Sequence, residues 1–130
     1  MRMLKLLSAA LMLLFLTGCG QKPFIIFSSD PITQQTQPQS QFQAGRRIHY
    51  AAVHPKGFKE GIIKVQIFEK NEKSEFGGYS YLYNRTCKLR HANYCTDYVV
   101  LHKNGHYIAQ VFYLSNLQAP IALGQFWVRE

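Results

Sequence analysis

Thiols, imidazoles and a run of phenols are the side chains here with chemistry to offer. Cysteines stand at positions 19, 87 and 95. Cys87 and Cys95 enclose KLRHANY, with His91 midway between them. One reading joins them as a disulfide across that turn. The other sets Cys87, His91 and Cys95 on one side of a helix, as three ligands for zinc. That site would need a fourth ligand and a helix that Asn93-Tyr94 does not encourage. Neither cysteine belongs to a Cys-x-x-Cys pair, so thiol redox chemistry is not expected. Among the five histidines, His102 and His106 flank an expected turn, and His49 and His54 lie in or beside an earlier strand. No His-x-His or His-Glu-x-x-His spacing occurs, so they are taken as exposed strand-end residues. Asp97 beside His102 or His106 would imitate part of a catalytic dyad. No serine elbow, phosphate loop or carboxylate pair accompanies it. The chain is therefore not expected to be an enzyme, and no metal or cofactor is called for.

The phenols are the better handle on recognition. Tyr79, Tyr81 and Tyr83 alternate, so on a regular strand all three project from one face. Exposed, they would form an aromatic ladder with Arg85 beside it, suited to protein or glycan. Buried, they would be core with hydroxyls at the rim. Phe112 and Trp127 raise the same question with less leverage.

The elements that must position these residues are strands. RIHYAAV (47–53), GIIKVQIFEK (61–70), YSYLYNR (79–85), TDYVVLH (96–102), HYIAQVFYL (106–114) and IALGQFWV (121–128) are separated by turn residues. Asn104-Gly105 signals a tight turn, because both residues tolerate positive φ. No stretch sustains a capped helical period. With PFIIF (23–27) there are about seven strands, which predicts an all-β, two-sheet sandwich. The 130 residues suit one domain. They are too few for an eight-stranded α/β barrel of about 250 residues. A charged fraction of 17% with 14% aromatics argues against a disordered chain. Over residues 96–129 the pattern resembles the immunoglobulin-like domains of bacterial surface and periplasmic proteins. The likeness rests on Gly105-His106-Tyr107 with Ala109 and Val111, then Phe126-Trp127-Val128. It implies a tyrosine corner, with the Tyr107 hydroxyl bonded to backbone of the preceding turn. Ala109 stands where antibody domains carry a cysteine, and GIIKVQIFEK lacks the expected tryptophan. The resemblance brings no catalytic residue with it.

The N-terminus sets the compartment. Arg2 and Lys5 precede eleven uncharged residues, Leu6–Leu16, the layout of an export signal too short to span a bilayer comfortably. Leu16-Thr17-Gly18-Cys19 resembles the lipobox of bacterial lipoproteins. That resemblance implies cleavage before Cys19, a diacylglycerol on its thiol, and a membrane anchor. With no Asp after the cysteine, it implies an outer membrane facing the periplasm in a Gram-negative cell. Cys87 and Cys95 then remain as an even pair in an oxidising compartment, which favours the disulfide. Removing Arg2 and Lys5 takes the basic count from 15 to 13 against seven acidic residues, a net charge of +6. Nucleic acid is not an expected partner of such a protein.

The expected organisation is a signal peptide (1–18), a lipidated N-terminus and Gln-rich tether (19–45) and a β-sandwich domain (46–130). Within the tether, Ser28–Gly45 carries six Gln and two Pro. As a free coil it would span about 20–25 Å. PFIIF within it is either a first strand folded back onto the domain, the favoured reading, or a membrane-proximal contact. The expected function is protein binding, as an accessory or assembly component of an envelope complex. The alternatives are a ligand- or glycan-binding or inhibitory lipoprotein using the Tyr79–Tyr83 face, and a small metal-dependent enzyme.

Overall fold

Ile63, Val65 and Ile67 alternate with Lys64 and Gln66, and a two-residue period gives a strand one face to bury. The same logic runs through the domain in a computed structural model, which describes residues 22–73, 79–89 and 93–130. These residues form eight strands: β1 (Phe24–Ser28), β2 (Gln41–Gln43), β3 (Arg47–Val53), β4 (Ile62–Lys73), β5 (Tyr79–Lys88), β6 (Tyr94–Val100), β7 (Gly105–Tyr113) and β8 (Ala122–Arg129). One sheet has the order β1-β3-β6 and the other β2-β8-β7-β4-β5. All pairings are antiparallel except β2 with β8. The expected all-β, two-sheet sandwich is formed, with eight strands among the described residues where about seven were expected. Its N-terminal strand is divided between the sheets, β1 on one and β2 on the other.

The core is the space between the sheets. Phe126, fully buried, meets Phe27 at 4.7 Å, Phe42 at 5.9 Å and Tyr107 at 5.5 Å between ring centroids. Burying one such ring contributes about 1.5–3 kcal/mol. Gly124 is required where β1 crosses β8: a Cβ there would lie 2.6 Å from Ile25 Cγ2 and 2.9 Å from Phe27 Cε2. The Tyr107 hydroxyl donates to the Lys103 carbonyl, so the tyrosine corner is present.

Three expectations change. The tether does not run free to residue 45. PFIIF supplies β1, and β2 lies in the Gln-rich stretch, where Phe42 is buried against the core. Between them, Gln39 N–H donates to the Phe27 carbonyl at 2.9 Å, and Ser29 N–H to Gln39 Oε1 at 2.7 Å. Polar side chains that suit a solvated arm also serve to tie a loop down. Asn104-Gly105 closes no hairpin, because β6 and β7 belong to different sheets. Gly105 is instead the first residue of β7, and Glu69 Oε1 lies 2.8 Å from where its Cβ would be. Finally, Tyr81 and Tyr83 of β5 do not share a face.

Candidate functional site

Residues on β5 and β6 form a seam between the two sheets. Cys87 and Cys95 are joined as a disulfide, so the pair does not supply free zinc ligands. Next along the strands, Arg85 Nη1 donates to Asp97 Oδ2 at 2.7 Å. The hydroxyls of Tyr50 and Tyr83 then share a hydrogen bond of 2.6 Å. Burial, followed by that hydrogen bond, raises the Tyr50 phenol far above its ordinary value. Burial also raises Tyr83. The bond to Asp97 raises Arg85. A disulfide, an ion pair and a phenol pair thus close one side of the sandwich. The seam holds structure together, and its polar groups are engaged with one another.

A β-bulge divides the tyrosine run, so Tyr81 and Tyr83 form neither one exposed ladder nor one buried face. Ile67 pairs with Tyr83, but the next residue, Phe68, pairs with Tyr81, so β5 has one extra residue at Leu82. An extra residue reverses the facing of the side chains beyond it. Tyr83 packs on the core, while Tyr81 is exposed and lies edge-on to Phe68, 6.0 Å between centroids. Arg85, two residues on and on the same side of β5 as Tyr83, remains exposed and stands 5.5 Å from its ring. Tyr79 opens β5 opposite Lys73, and its side chain falls outside the described residues, as do Cys19 and His91.

The histidines are dispersed. His106 stacks on Trp127 at 4.3 Å and lies 3.0 Å from Gln125 Oε1. His102 sits beside Gly45. His54 meets Phe58, and His49 meets Tyr98. Asp97 faces Arg85. Among the described residues no three His, Cys, Asp or Glu side chains form a set that would hold a metal ion.

The surface best shaped for recognition is the outer face of the three-stranded sheet. Its cross-strand rows run Phe24–Val53–Tyr94, Ile26–Ala51–Thr96, Ser28–His49–Tyr98 and Arg47–Val100. Alternation on β6 sends Cys95, Asp97 and Val99 inward and leaves Tyr94, Tyr98 and Val100 exposed. The β1–β2 connection passes alongside. Its turn is held by Thr33 N–H donating to Thr36 Oγ1 at 2.7 Å. Between that turn and the sheet lies a groove of about 380 Å³, walled by Phe24, Ile26, Ile32, Val53 and Tyr94. It shares Ile32 and Thr96 with a smaller hollow against His49 and Tyr98. That hollow shares His49 with an open cleft of about 750 Å³ lined by Asp30, Arg46 and Arg47. Linked through these shared residues, the three form a trough that is apolar beside Phe24 and carries Arg46, Arg47 and Asp30 at its other end, where Phe42 and Gln43 of β2 also line it. At about 3.4 Å per residue, the span from Tyr94 to Val100 is roughly 20 Å. Arg47 lies over the Tyr98 ring at 4.5 Å, holding both side chains at the surface.

Tyr94, Tyr98, Arg47 and Phe24 were not singled out from the sequence. Alternation in YCTDYVV was the available signal, since it separates the two tyrosines from Cys95 and Val99. That β1 and β3 lie beside them is a long-range fact with no local mark.

No protein-family model and no curated protein matches the chain. Among solved structures, a CARDB domain from Pyrococcus furiosus, in complex with di-metal ions, is similar at 13% identity. The match covers 82% of this chain and 90% of that one, with a TM-score of 0.38. The Pseudomonas fluorescens alkylpurine DNA glycosylase AlkC, bound to DNA containing an abasic site analog, is similar at 12% identity. That match covers 88% of this chain and 32% of the glycosylase, with a TM-score of 0.41.

Proposed function

We propose that this is a lipid-anchored envelope protein that acts by binding a protein partner, as an accessory or assembly component of an envelope complex. The trough on the three-stranded sheet is the observation that carries the binding reading. Aromatic side chains and arginine are enriched where proteins meet, because they bury large areas while keeping a polar contact. Here Phe24, Tyr94 and Tyr98 stand on one face with Arg47. The trough is long enough for about six residues of extended chain. Its polarity favours a segment with apolar side chains at one end and a carboxylate near Arg46 and Arg47. The anchor reading is carried by Leu16-Thr17-Gly18-Cys19.

Glycan or ligand binding on a Tyr79–Tyr83 ladder is less well supported, because the bulge divides Tyr81 from Tyr83 and the Tyr83 hydroxyl is bonded to Tyr50. Quantitative isolation from crosslinked membranes tests the proposal. The wild-type chain should bring down one envelope complex in fixed stoichiometry, and Tyr98→Asp should lose it while keeping the fold. Equal recovery with Tyr98→Asp, or recovery of only a soluble enzyme or glycan, would contradict it.

A further inference from the structure

At the end of the sandwich where β1 begins, four stretches meet: residues 22–23, the β3–β4 loop, Leu89 and Asn93 at the ends of β5 and β6, and the β7–β8 loop. The β3–β4 loop is tied to the last two. His54 N–H donates to the Asn93 carbonyl at 2.7 Å, Lys59 N–H to the Tyr113 hydroxyl at 3.0 Å, and Ser115 Oγ to Glu60 at 2.6 Å. Lys22, Lys56, Lys59 and Lys88 are exposed at this end, and Glu60 is the one carboxylate there among the described residues. Leu114 and Leu117 are exposed on the β7–β8 loop. The opposite end differs, setting Asp30, Glu69 and Glu130 among its arginines and lysines.

Chain length decides which end faces the bilayer. Cys19 precedes Phe24, the first residue of β1, by five positions. Five residues reach at most about 18 Å. A lipid on Cys19 would therefore hold the lysine-bearing end close to the headgroups. The longer tether expected from sequence would have left the domain free to turn, but β1 removes most of that length.

We propose that this end docks on an anionic bilayer surface, with Lys56, Lys59 and Lys88 on lipid phosphates and Leu114 and Leu117 in the interfacial layer. Basic residues flanking exposed leucines suit that boundary, and each lysine near the surface favours docking by about fivefold. The docked domain stands with its strands rising from the membrane. The apolar end of the trough is then near the bilayer, and Arg46 and Arg47 point away from it. This orientation rests on the anchor reading of Cys19.

The test is amine labelling of the full lipidated chain in two kinds of vesicle, phosphatidylglycerol-rich and pure phosphatidylcholine, with intact mass recorded first. Lys56, Lys59 and Lys88 should acylate at least about fivefold more slowly on the anionic vesicles. Lys70 and Lys103, at the far end, should react equally on both. Lys56→Glu with Lys59→Glu should restore the rate at Lys88. Acylated protein with equal rates at every lysine on both vesicles would overturn the docked orientation and leave the anchor standing. An intact mass without acyl chains on Cys19 would overturn both.

Discussion

Cutting the covalent link between β5 and β6 gives a perturbation whose size follows from the structure. The Cys87–Cys95 bridge closes a loop with a sequence separation of eight. Loop-closure entropy for so short a segment corresponds to about 2.5 kcal/mol. The neighbouring links do not replace it. Arg85–Asp97 is solvent-exposed on the arginine side and contributes little. The Tyr50–Tyr83 hydrogen bond contributes about 1 kcal/mol. An unfolding entropy of about 2.1 cal/mol/K per residue over roughly 100 residues converts 2.5 kcal/mol into a fall in Tm of about 12 °C. Far-UV circular dichroism with and without reductant measures it. Cys87→Ala with Cys95→Ala should fall further, by about 1 kcal/mol, because Cys95 is buried and its sulfur packs on the core. A reductant-induced fall below about 4 °C would refute the loop-closure reasoning. It would mean that noncovalent contacts alone fix β5 against β6.

Tyr107→Phe removes the bond to the Lys103 carbonyl and should cost about 1–1.5 kcal/mol, read by urea unfolding with an unchanged slope. Gly124→Ala should cost about 1–3 kcal/mol, since its methyl would press on Ile25 and Phe27; an unchanged midpoint would contradict the close crossing of β1 over β8. The Tyr50 phenol is raised in the fold, so its contribution is complete below the unfolded value of 10.0 and declines as pH rises beyond it. The unfolded chain then releases that proton first, and stability should fall by up to about 1.4 kcal/mol per pH unit from this group. Tyr50→Phe should flatten that part of the alkaline profile, and an identical slope in both proteins would contradict it.

Much of the sandwich is legible in sequence because its interior is written in period two. Ile63, Val65 and Ile67 show it, as do Ala109 and Val111, and Tyr107 marks the corner by its place in the Gly-x-Tyr pattern. Other features leave no local trace. β2 is three residues of Gln-Phe-Gln that pair in parallel with β8, far along the chain, and only Phe42 hints at burial. The bulge at Leu82 depends on how β5 meets β4, so three alternating tyrosines looked like one face. Asn104-Gly105 has hairpin chemistry but sits where the chain changes sheets. The trough is assembled from β1, β2, β3, β6 and the β1–β2 connection, which are distant in sequence.

On the proposed function, partner contact falls on the outer face of the three-stranded sheet. A photo-crosslinking residue at Tyr98, introduced into the full chain in its own membranes, tests it most directly. Leu123, 61% exposed on the outer face of the other sheet, is the matched control. Position 98 should give one adduct of fixed mass and position 123 none. The same adduct from position 123 alone, or equally from both, would contradict it.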